Sequence, residues 1–568
     1  MSDDEDTSVL IDGKTETKLT PIYKAPNIAH SPPKVDQNVS VFTVRNHCIV
    51  LSTTVAILSG FEFGYDLGIC SYLVPNVKNV FQLTCQEEHM IGISWIFGAL
   101  LASVLGGLLV DGFGRKWAIV CSTSLMIIGS VLTAITSSYT MLLIGRLMGG
   151  FSGALCTVAQ CVYSAEISQE HHRGRLVTIY QLGAALGFLT PTLANVACNI
   201  PWQVMVWIPV GPALIQISIV TIFLSESPHF KLLQMSQSFD TKRYSCAVGS
   251  SWETVFLALG LVFFQQFTGR FAVLRYAHGL FAVLGVCPET VATVTTITFS
   301  FVKVCAICLC VCVIDRLGRR PALILGGTCM MTSLALIGVL CAMEESHALG
   351  LLRPGVCDDH TPLPTGDGLH YSSGTGLAPM LPTGAPPPFP LLPTPVPLVA
   401  PQNCEEEDIP IPSNLPPSLQ YLALFTMLCY EVAYSFSLGP VTWLLLVEIF
   451  PAAVRGKSVS MVCTLYWLAD LLVGTTLVHV VHAFTLGGAF LMYSVMCLNA
   501  IIFVFLFIPE TRAKSLHLIA QELKNMSSKN RMFQNLQALP CLSKNEWLQQ
   551  KSMQYRQVAH SVAESAVI

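Results

Sequence analysis

Carboxamide side chains stand in apolar stretches of this chain. Gln265 and Gln266 open the run QQFTG, and Gln181 lies in an otherwise small and apolar run. A carboxamide offers hydrogen-bond donors and an acceptor, so paired amides suit a ligand that carries several hydroxyl groups. Glutamines at membrane depth also tie helices together. We favour a ligand role for Gln265, because Gln265 and Gln181 fall in opposite halves of the chain.

An aromatic residue accompanies a helix-breaking motif further along. The run SLGPVTW contains Pro440 and ends at Trp443. Proline removes a backbone donor and clashes with the preceding turn, which predicts a break. Such breaks at membrane depth are tolerated where protein or a cavity surrounds them. Trp443 then offers a flat face for stacking on a pyranose ring, and the alternative is an aromatic packing residue.

Charged residues also lie in apolar stretches. Asp66 and Arg146 are each costly alone at membrane depth and much less costly as a pair. A carboxylate beside an arginine is either structural or exchanges a proton, and the sequence leaves both open. Further charges in these stretches include Arg270, Arg275, Lys303, Glu431 and Asp470.

Long apolar segments must position these residues. Of 568 residues, 52% are hydrophobic and 12% are charged, and the mean hydropathy is +0.58. A soluble chain has about 25% charged residues. Each segment is about long enough to cross the roughly 30 Å hydrocarbon layer. We predict twelve spans, at 47–70, 89–110, 117–136, 139–162, 175–197, 203–224, 253–281, 290–314, 321–343, 419–441, 458–482 and 487–508.

A six-residue motif occurs twice between these spans. DGFGRK covers 111–116 and DRLGRR covers 315–320, each after the second span of a set of six. Glycine permits a tight turn, and the adjacent cations hold that turn at one side of the bilayer. The repeat therefore predicts an all-α polytopic membrane protein built of two six-helix halves.

The basic residues indicate the orientation of the chain. The only lysine and arginine residues in the odd-numbered segments between spans are Lys78 and Arg353. Because basic residues favour the cytoplasmic side, both termini are predicted to be cytoplasmic. The even-numbered gaps hold Arg115, Lys116, Arg173, Arg175, Lys231, Lys242, Arg243, Arg316, Arg319, Arg320, Arg455 and Lys457.

The domain organisation follows from these spans. We predict a disordered cytoplasmic tail (1–46), an N-terminal bundle (47–224), a short cytoplasmic linker (225–252), a C-terminal bundle (253–508) and a cytoplasmic tail (509–568). The stretch 344–418 is rich in proline and glycine and is predicted to be an extracellular loop.

The first tail contains a short candidate sorting signal. Asp6 to Ile11 fits the acidic dileucine pattern, D/E-x-x-x-L-(L/I), which clathrin adaptors read. An extended segment presents two apolar side chains to a pocket and a carboxylate to a basic patch. Because chance matches to so short a pattern are frequent, the alternative is a solvated tail.

The ordered set of motifs resembles the facilitative glucose transporters, the sugar-porter branch of the major facilitator superfamily, over about residues 45–525. It looks most like the branch of the tenth and twelfth human members. The resemblance implies the major facilitator fold, no cofactor, and transport of a hexose (glucose or galactose) or of dehydroascorbate by alternating access, facilitative or proton-coupled. The matching motifs are DGFGRK, Gly145-Arg146, Glu166 with Arg173-Gly174, Glu226-Ser-Pro, QQFTG, DRLGRR, GPVTW, Glu448 with Arg455-Gly456, and Pro509-Glu510-Thr511.

Site residues are also implied by the resemblance. Asp66 and Arg146 are candidates for proton coupling, as in proton-coupled sugar porters. The substrate-contacting positions are Gln181, Gln265, Gln266 and Trp443. The implied cytoplasmic gate comprises Arg115, Glu166, Arg173, Asp315, Arg319, Arg320, Glu448, Arg455 and Glu510.

The chain departs from the family pattern at four positions. Phe271 and Tyr466 each stand where the family has asparagine, which predicts weaker glucose recognition. Arg275 replaces a tyrosine, and this arginine, with Arg270, favours an anionic or more oxidised substrate. His229 replaces the arginine of P-E-S-P-R, which predicts a weaker inner gate or a diverged form.

Two other functions stay open at this stage. One is a non-transporting sensor or receptor on a transporter fold, and the other is a transporter of a different solute, such as an organic anion. No nucleophile–base or metal-ligand set appears in the sequence, so neither an enzyme nor a metal site is predicted. The predicted partners are the substrate and the lipid bilayer, with protons and clathrin adaptors as further candidates. No nucleic-acid partner is predicted. The predicted location is the plasma membrane or an endosomal or perinuclear endomembrane.

Overall fold

The computed structural model describes residues 40–198, 200–231, 252–283, 288–345, 416–525 and 528–537. All regular structure in these ranges is helical, which confirms the predicted all-α class. The chain divides into two compact units, residues 1–46 and 47–568. The described part of the first unit is the start of the first helix, and every contact given below lies within the second unit.

The first half of the bundle begins with α1 and ends with α8. The predicted spans 89–110, 139–162 and 175–197 fall within these helices, whereas 47–70 and 117–136 each run two residues past the end of a helix. The span 203–224 is divided into α7 and α8, and α2 was not predicted. The helices are α1 (Ser40–Gly68), α2 (Cys70–Phe81), α3 (Cys85–Phe113), α4 (Arg115–Ala134), α5 (Tyr139–Ile167), α6 (Arg173–Cys198), α7 (Trp202–Trp207) and α8 (Val210–Ile222).

The second half runs from α9 to α15 and is followed by two short helices in the tail. Those two, α16 and α17, lie in the predicted C-terminal tail and were not predicted as helices. The elements are α9 (Trp252–Gln266), α10 (Arg270–Val283), α11 (Pro288–Leu317), α12 (Arg319–Glu345), α13 (Pro417–Phe436), α14 (Leu438–Ile449), α15 (Arg455–Phe507), α16 (Leu516–Asn525) and α17 (Ser528–Gln537).

Ten helical segments of the described ranges are long and apolar enough to cross a membrane. The last of them, α15, has 53 residues, which as one straight helix would be about 80 Å long, well over the roughly 30 Å of a single crossing. Thr485 interrupts it with φ 63° and ψ 170°, between the two predicted spans 458–482 and 487–508. The ten segments count α15 once and leave out α1, which is rich in polar residues. Counting α15 as two crossings and adding α1 gives the twelve predicted spans.

Two crossings of the second half break at membrane depth. Gly269 has φ +85° and separates α9 from α10. Ser437 separates α13 from α14, which is the break that the proline motif predicts. The first break was not predicted, and it turns Tyr276 onto Phe490, with ring centroids 5.4 Å apart. Both breaks lie beside the cavity described below.

Glycines bring α1 and α6 into backbone contact. A Cβ on Gly64 would lie 1.9 Å from the carbonyl oxygen of Ala184, and one on Gly187 would lie 2.1 Å from that of Phe61. Small residues at four-residue spacing permit this close approach in membrane helices. The seam between the halves is formed by α3 against α15 and by α6 against α11.

Candidate functional site

A cavity of about 210 Å³ lies between the two halves. The first half contributes α1 and α6 to its wall, and the second half contributes α9 to α11 and α13 to α15. Three of the predicted substrate-contacting residues, Gln181, Gln265 and Trp443, line it together.

The helix break at Ser437 orients Gln265. The Nε2 atom of Gln265 donates to the carbonyl oxygen of Gly439 over 3.2 Å. Its Oε1 atom has no hydrogen-bond partner among the residues that the structure describes, although Gln265 is only 2% exposed. A buried acceptor without a donor costs free energy. A ligand hydroxyl in the cavity would supply that donor.

The neighbouring amide has a different role. Gln266 does not line the cavity, and its Nε2 atom donates to the carbonyl oxygen of Tyr466 over 3.3 Å. It therefore fixes α9 against α15. In this conformation the predicted substrate contact of Gln266 is indirect, because it positions Tyr466, which does line the cavity.

Aromatic rings form one wall of the cavity. Trp443 packs on Tyr466 with ring centroids 5.4 Å apart, and Tyr466 meets Trp467 edge-on at 5.0 Å. Phe271 also lines the cavity, so both positions at which the resemblance implies an asparagine face the space for a ligand. The side chain of Arg275 lies outside the described residues.

Asp66 and Arg146 form an ion pair within the first half. Nη1 of Arg146 lies 2.6 Å from Oδ1 of Asp66. Nε1 of Trp95 donates to the other oxygen, Oδ2, over 2.5 Å. Neither charged residue lines the 210 Å³ cavity. Asp66 is nevertheless on α1, which also lines the cavity, and its carboxylate has both oxygens engaged.

The two glycine-arginine turns have the same backbone conformation. Gly114 has φ +99° and Gly318 has φ +97°, a region that favours glycine. A glutamate caps the helix that follows each turn, since Glu226 accepts from the backbone N–H of Arg115 over 2.9 Å and Glu510 accepts from that of Arg319 over 3.1 Å. A carboxylate at a helix N-terminus is favourable. We call the end of the bundle that carries both turns the turn face.

Each half also buries a glutamate beside its turn. Arg115 Nε lies 3.2 Å from Glu166, and Arg319 Nη2 lies 3.0 Å from Glu448. Ser227 donates to Glu166, and Thr511 donates to Glu448 over 2.6 Å. Glu166 and Glu448 are thereby satisfied in the same way.

These clusters join the two halves at the turn face. Arg455 Nη1 of the second half lies 3.0 Å from Glu166 of the first. In the reverse direction, Arg173 Nη1 of the first half lies 3.7 Å from Glu448 and donates to the carbonyl oxygen of Lys514 over 3.0 Å. We call this set the turn-face network, and it consists of Asp111, Arg115, Glu166, Arg173, Glu226, Asp315, Arg319, Glu448, Arg455 and Glu510.

Two members of the network were not predicted as site residues. Asp111 accepts from the backbone N–H of Lys457 over 2.9 Å, and its counterpart Asp315 accepts from that of Gly174 over 3.1 Å. Glu226 is the counterpart of Glu510. The internal repeat is the signal that identifies both, since each matches a predicted residue of the other half.

Arg320 lies beside this network and contacts the tail. Its Nη1 atom donates to Asn535 of α17 over 3.2 Å, and its Nη2 atom donates to the carbonyl oxygen of Phe505 over 2.6 Å. Asn535 and Arg531 donate to the carbonyl oxygens of Leu506 and Phe507 over 2.9 and 3.3 Å. The tail thus satisfies the exposed carbonyls at the end of α15.

His229 is half-buried next to the network. Burial lowers the pKa of His229, Glu166 opposes that effect, and the cations Arg455, Arg115 and Arg173 add to it. The histidine at the position of the family arginine is therefore held towards its neutral form. A neutral ring beside three arginines avoids the repulsion that a fourth cation would add.

Glu62 on α1 was overlooked in the sequence. It is 3% exposed, and its Oε1 atom has no hydrogen-bond partner among the described residues. It does not line the 210 Å³ cavity. Its position four residues before Asp66 on one helical face was the available signal.

Comparison with known proteins places the chain in a family. The model of the family "Sugar (and other) transporter" matches residues 52–247, 231–352 and 407–523. Facilitated glucose transporter member 10 of solute carrier family 2 from Xenopus laevis is 32% identical over 533 residues, which is 85% of this chain and 94% of that protein. Member 12 from Homo sapiens is 29% identical over 536 residues, or 84% and 85% of the two chains.

A solved structure agrees with the fold. The major facilitator proton:xylose symporter XylE bound to 6-bromo-6-deoxy-D-glucose superposes with a TM-score of 0.63 at 22% identity, covering 84% of this chain and 99% of that one. The protein therefore has the predicted major facilitator fold and is a multi-pass membrane protein. The chain belongs to the sugar (and other) transporter family.

Proposed function

We propose that this protein moves a hexose, such as glucose or galactose, or dehydroascorbate across a membrane by alternating access around the 210 Å³ cavity. The observation that carries the proposal is the meeting of Gln181 and Gln265, from opposite halves, beside Trp443. The unpaired Oε1 atom of Gln265 suits a hydroxyl donor, and Trp443 suits the face of a sugar ring. The names of the relatives, facilitated glucose transporters, support the same substrate class.

The turn-face network acts as the gate on one side of that cavity. Its cross-half contacts, Arg455 with Glu166 and Arg173 with Glu448, hold the halves together at the turns. The excess of basic residues at this face supports a cytoplasmic location for it and for both termini. Transport then requires these contacts to break, so that the halves rock apart and expose the cavity to the cytoplasm.

Proton coupling is the second part of the proposal. Asp66 and Arg146 form a buried ion pair between α1, which also lines the cavity, and α5. Protonation of Asp66 would release Arg146 from its carboxylate partner and change the packing of α1 on α5. A symporter named for protons and xylose shares the fold, which supports testing a coupled mode against a facilitative one.

The location of the protein is proposed from its tail. The acidic dileucine pattern at Asp6 to Ile11 lies outside the described residues. As a working signal it would recruit clathrin adaptors and hold the protein in endosomal membranes. Replacing Leu10 and Ile11 with alanine would then raise the surface fraction measured by biotinylation.

Solute uptake into proteoliposomes tests the transport proposal. The purified protein should accumulate labelled hexose, and Gln265→Ala and Gln181→Ala should each weaken apparent affinity about two- to ten-fold, because a hydrogen bond to a neutral ligand is lost. Gln216→Ala is the control, since Gln216 is a buried amide that bonds Thr123 away from the cavity. Unchanged affinity in both cavity variants would mean that the site is misassigned. Absence of uptake for every hexose and for dehydroascorbate, with folded protein, would contradict the function.

A further inference from the structure

The cavity contains an ammonium group with no direct polar partner. Lys303 lines the cavity from α11. It forms no ion pair and no hydrogen bond with any residue in the described ranges, and its Nζ atom lies 5.9 Å from the centre of the Phe188 ring on the opposite half. A lysine at membrane depth is costly and usually pairs with an acid. The paired cation of the first half, Arg146, shows the usual arrangement, at 2.6 Å from Asp66.

A second cation also lines the cavity. Arg270 follows the helix break at Gly269 and lines the cavity. Its guanidinium carbon lies 5.6 Å from the centre of the Tyr434 ring, and it forms no ion pair with the described acids. Two like charges therefore face one space, and each rests against an aromatic ring.

Two described acids, Glu431 and Asp470, lie near the cavity, and neither forms an ion pair with Lys303 or Arg270. Glu431 is 8% exposed and lies behind the wall, where Ser435 donates to its Oε1 atom over 2.9 Å. Asp470 lines the cavity from α15, on the side of Tyr466 and Trp467. The charged groups that line the cavity are thus two cations and one anion, a net charge of +1. Glu431 offsets this charge from behind while the ammonium group of Lys303 stays open to the cavity.

We infer that Lys303 and Arg270 form a carboxylate subsite, and that the preferred substrate is a hexose that carries a carboxylate, a hexuronate. The inference rests on the proposed transport function and names its substrate class. The sugar ring would lie on Trp443, its hydroxyls would meet Gln265 and Gln181, and its carboxylate would accept from the two cations. Hydrogen bonds between ionised groups are stronger than neutral ones, and they gain further in a low-dielectric site.

Counterflow in proteoliposomes tests this substrate class. Vesicles that hold the intact protein are loaded with D-glucose or D-glucuronate, and entry of each labelled solute is measured. We expect glucuronate to exchange with higher apparent affinity than glucose. Lys303→Gln should weaken the apparent affinity for glucuronate about ten-fold or more, because the charged partner of the carboxylate is lost. The apparent affinity for glucose should change about two-fold or less. Lys303→Arg should retain glucuronate exchange.

Two further measurements separate a subsite from a structural role. Ile307→Ala is the matched control, since Ile307 lines the cavity one turn along the same helix and carries no charge. In the unaltered protein, the methyl ester of glucuronic acid should compete less well than the acid, and this measurement does not depend on whether a variant folds. Equal competition by the acid and its ester would overturn the inference.

The remaining outcomes distinguish this inference from the proposed function. Exchange of glucose without glucuronate would overturn the subsite and leave hexose transport in place. An equal loss of glucose and glucuronate exchange in Lys303→Gln would also overturn it, since Lys303 would then stabilise the fold and would not bind the carboxylate. Exchange of neither solute by folded protein would overturn the transport function itself.

Discussion

The two halves contribute matching residues to the turn face but different residues to the central cavity. At the turn face, each charged residue of one half has a counterpart in the other, in pairs such as Arg115 with Arg319 and Glu166 with Glu448. In the cavity, the first half supplies one amide, two phenylalanine rings and small or aliphatic residues, whereas the second supplies another amide, tyrosine and tryptophan rings and all three lining charges. Closing one face needs the same geometry twice, but holding an asymmetric solute needs different groups on its two sides.

The turn-face symmetry is itself imperfect, and this gives the largest expected effect. Arg455 is fully buried and lies 3.0 Å from Glu166, whereas Arg173 lies 3.7 Å from Glu448. Arg455→Ala should destabilise the closed turn face by about 3–5 kcal/mol, as for a broken buried pair. Arg173→Ala should cost about 1–3 kcal/mol. Hydrogen exchange of peptides covering 111–116 and 455–460 measures the opening.

Arg175→Ala is the control for that comparison. Its side chain is 38% exposed and lies 3.7 Å from Asp315, so its loss should change exchange little. Equal exchange in Arg455→Ala and Arg173→Ala would show that the two contacts between halves are equivalent and that the distances have no energetic meaning.

The ion pair of Asp66 with Arg146 in the first half offers the next test. If Asp66 carries a proton, hexose uptake should rise as external pH falls, and Asp66→Asn should flatten this dependence. Cys70→Ala is the control, because Cys70 contacts Arg146 at 2.6 Å without supplying a carboxylate. A flat pH profile in the unaltered protein would leave Asp66 with a structural role only.

Restoring an amide in the cavity should produce a smaller change. Phe271 lines the cavity where the family has asparagine. Phe271→Asn should raise apparent glucose affinity about two- to ten-fold, because a donor and an acceptor replace an apolar ring. Phe267→Asn is the control, since Phe267 stacks on Phe263 at 4.5 Å and does not line the cavity. A fall in glucose uptake at equal protein level would argue that bulk, and not hydrogen bonding, suits this site.

The smallest expected effect lies in the turn after α15. Ala513 has φ +55°, a left-handed conformation that disfavours a Cβ, and the next residue, Lys514, offers its carbonyl to Arg173. Ala513→Gly should relieve this strain and stabilise the protein by about 0.5–1 kcal/mol. Thermal unfolding in detergent measures it. Ala513→Val should shift the midpoint in the opposite direction, and two shifts of the same sign would refute the strain.

The parts of the structure that the sequence predicted share a simple physical origin. Apolar length defines a crossing, and glycine next to cations defines a turn at the membrane surface, so the spans, the motif turns and most of the network were accessible. The break at Gly269 was not, because a single glycine in an apolar run is also compatible with a continuous helix. The hydrogen bond from Gln266 to the backbone of Tyr466 was missed as well, because the sequence does not show which helix an amide faces.

The charges of the cavity illustrate the same limit. The sequence places Lys303 and Glu431 in apolar spans, but only the fold shows that one lines the cavity and the other lies behind Ser435. The two short tail helices were missed because each is ten residues long and is held mainly by tertiary contacts such as Arg320 with Asn535.

The glutamate caps have a mechanical consequence. Glu226 follows the last crossing of the first half and binds the turn after its second crossing, and Glu510 does the same in the second half. Each half therefore has a hydrogen bond between the segment after its last crossing and the turn after its second crossing, and this bond does not involve the other half. A displacement of one crossing therefore moves its whole half. When the contacts between the halves break, each half can rotate as a rigid body without rearrangement of its own helices.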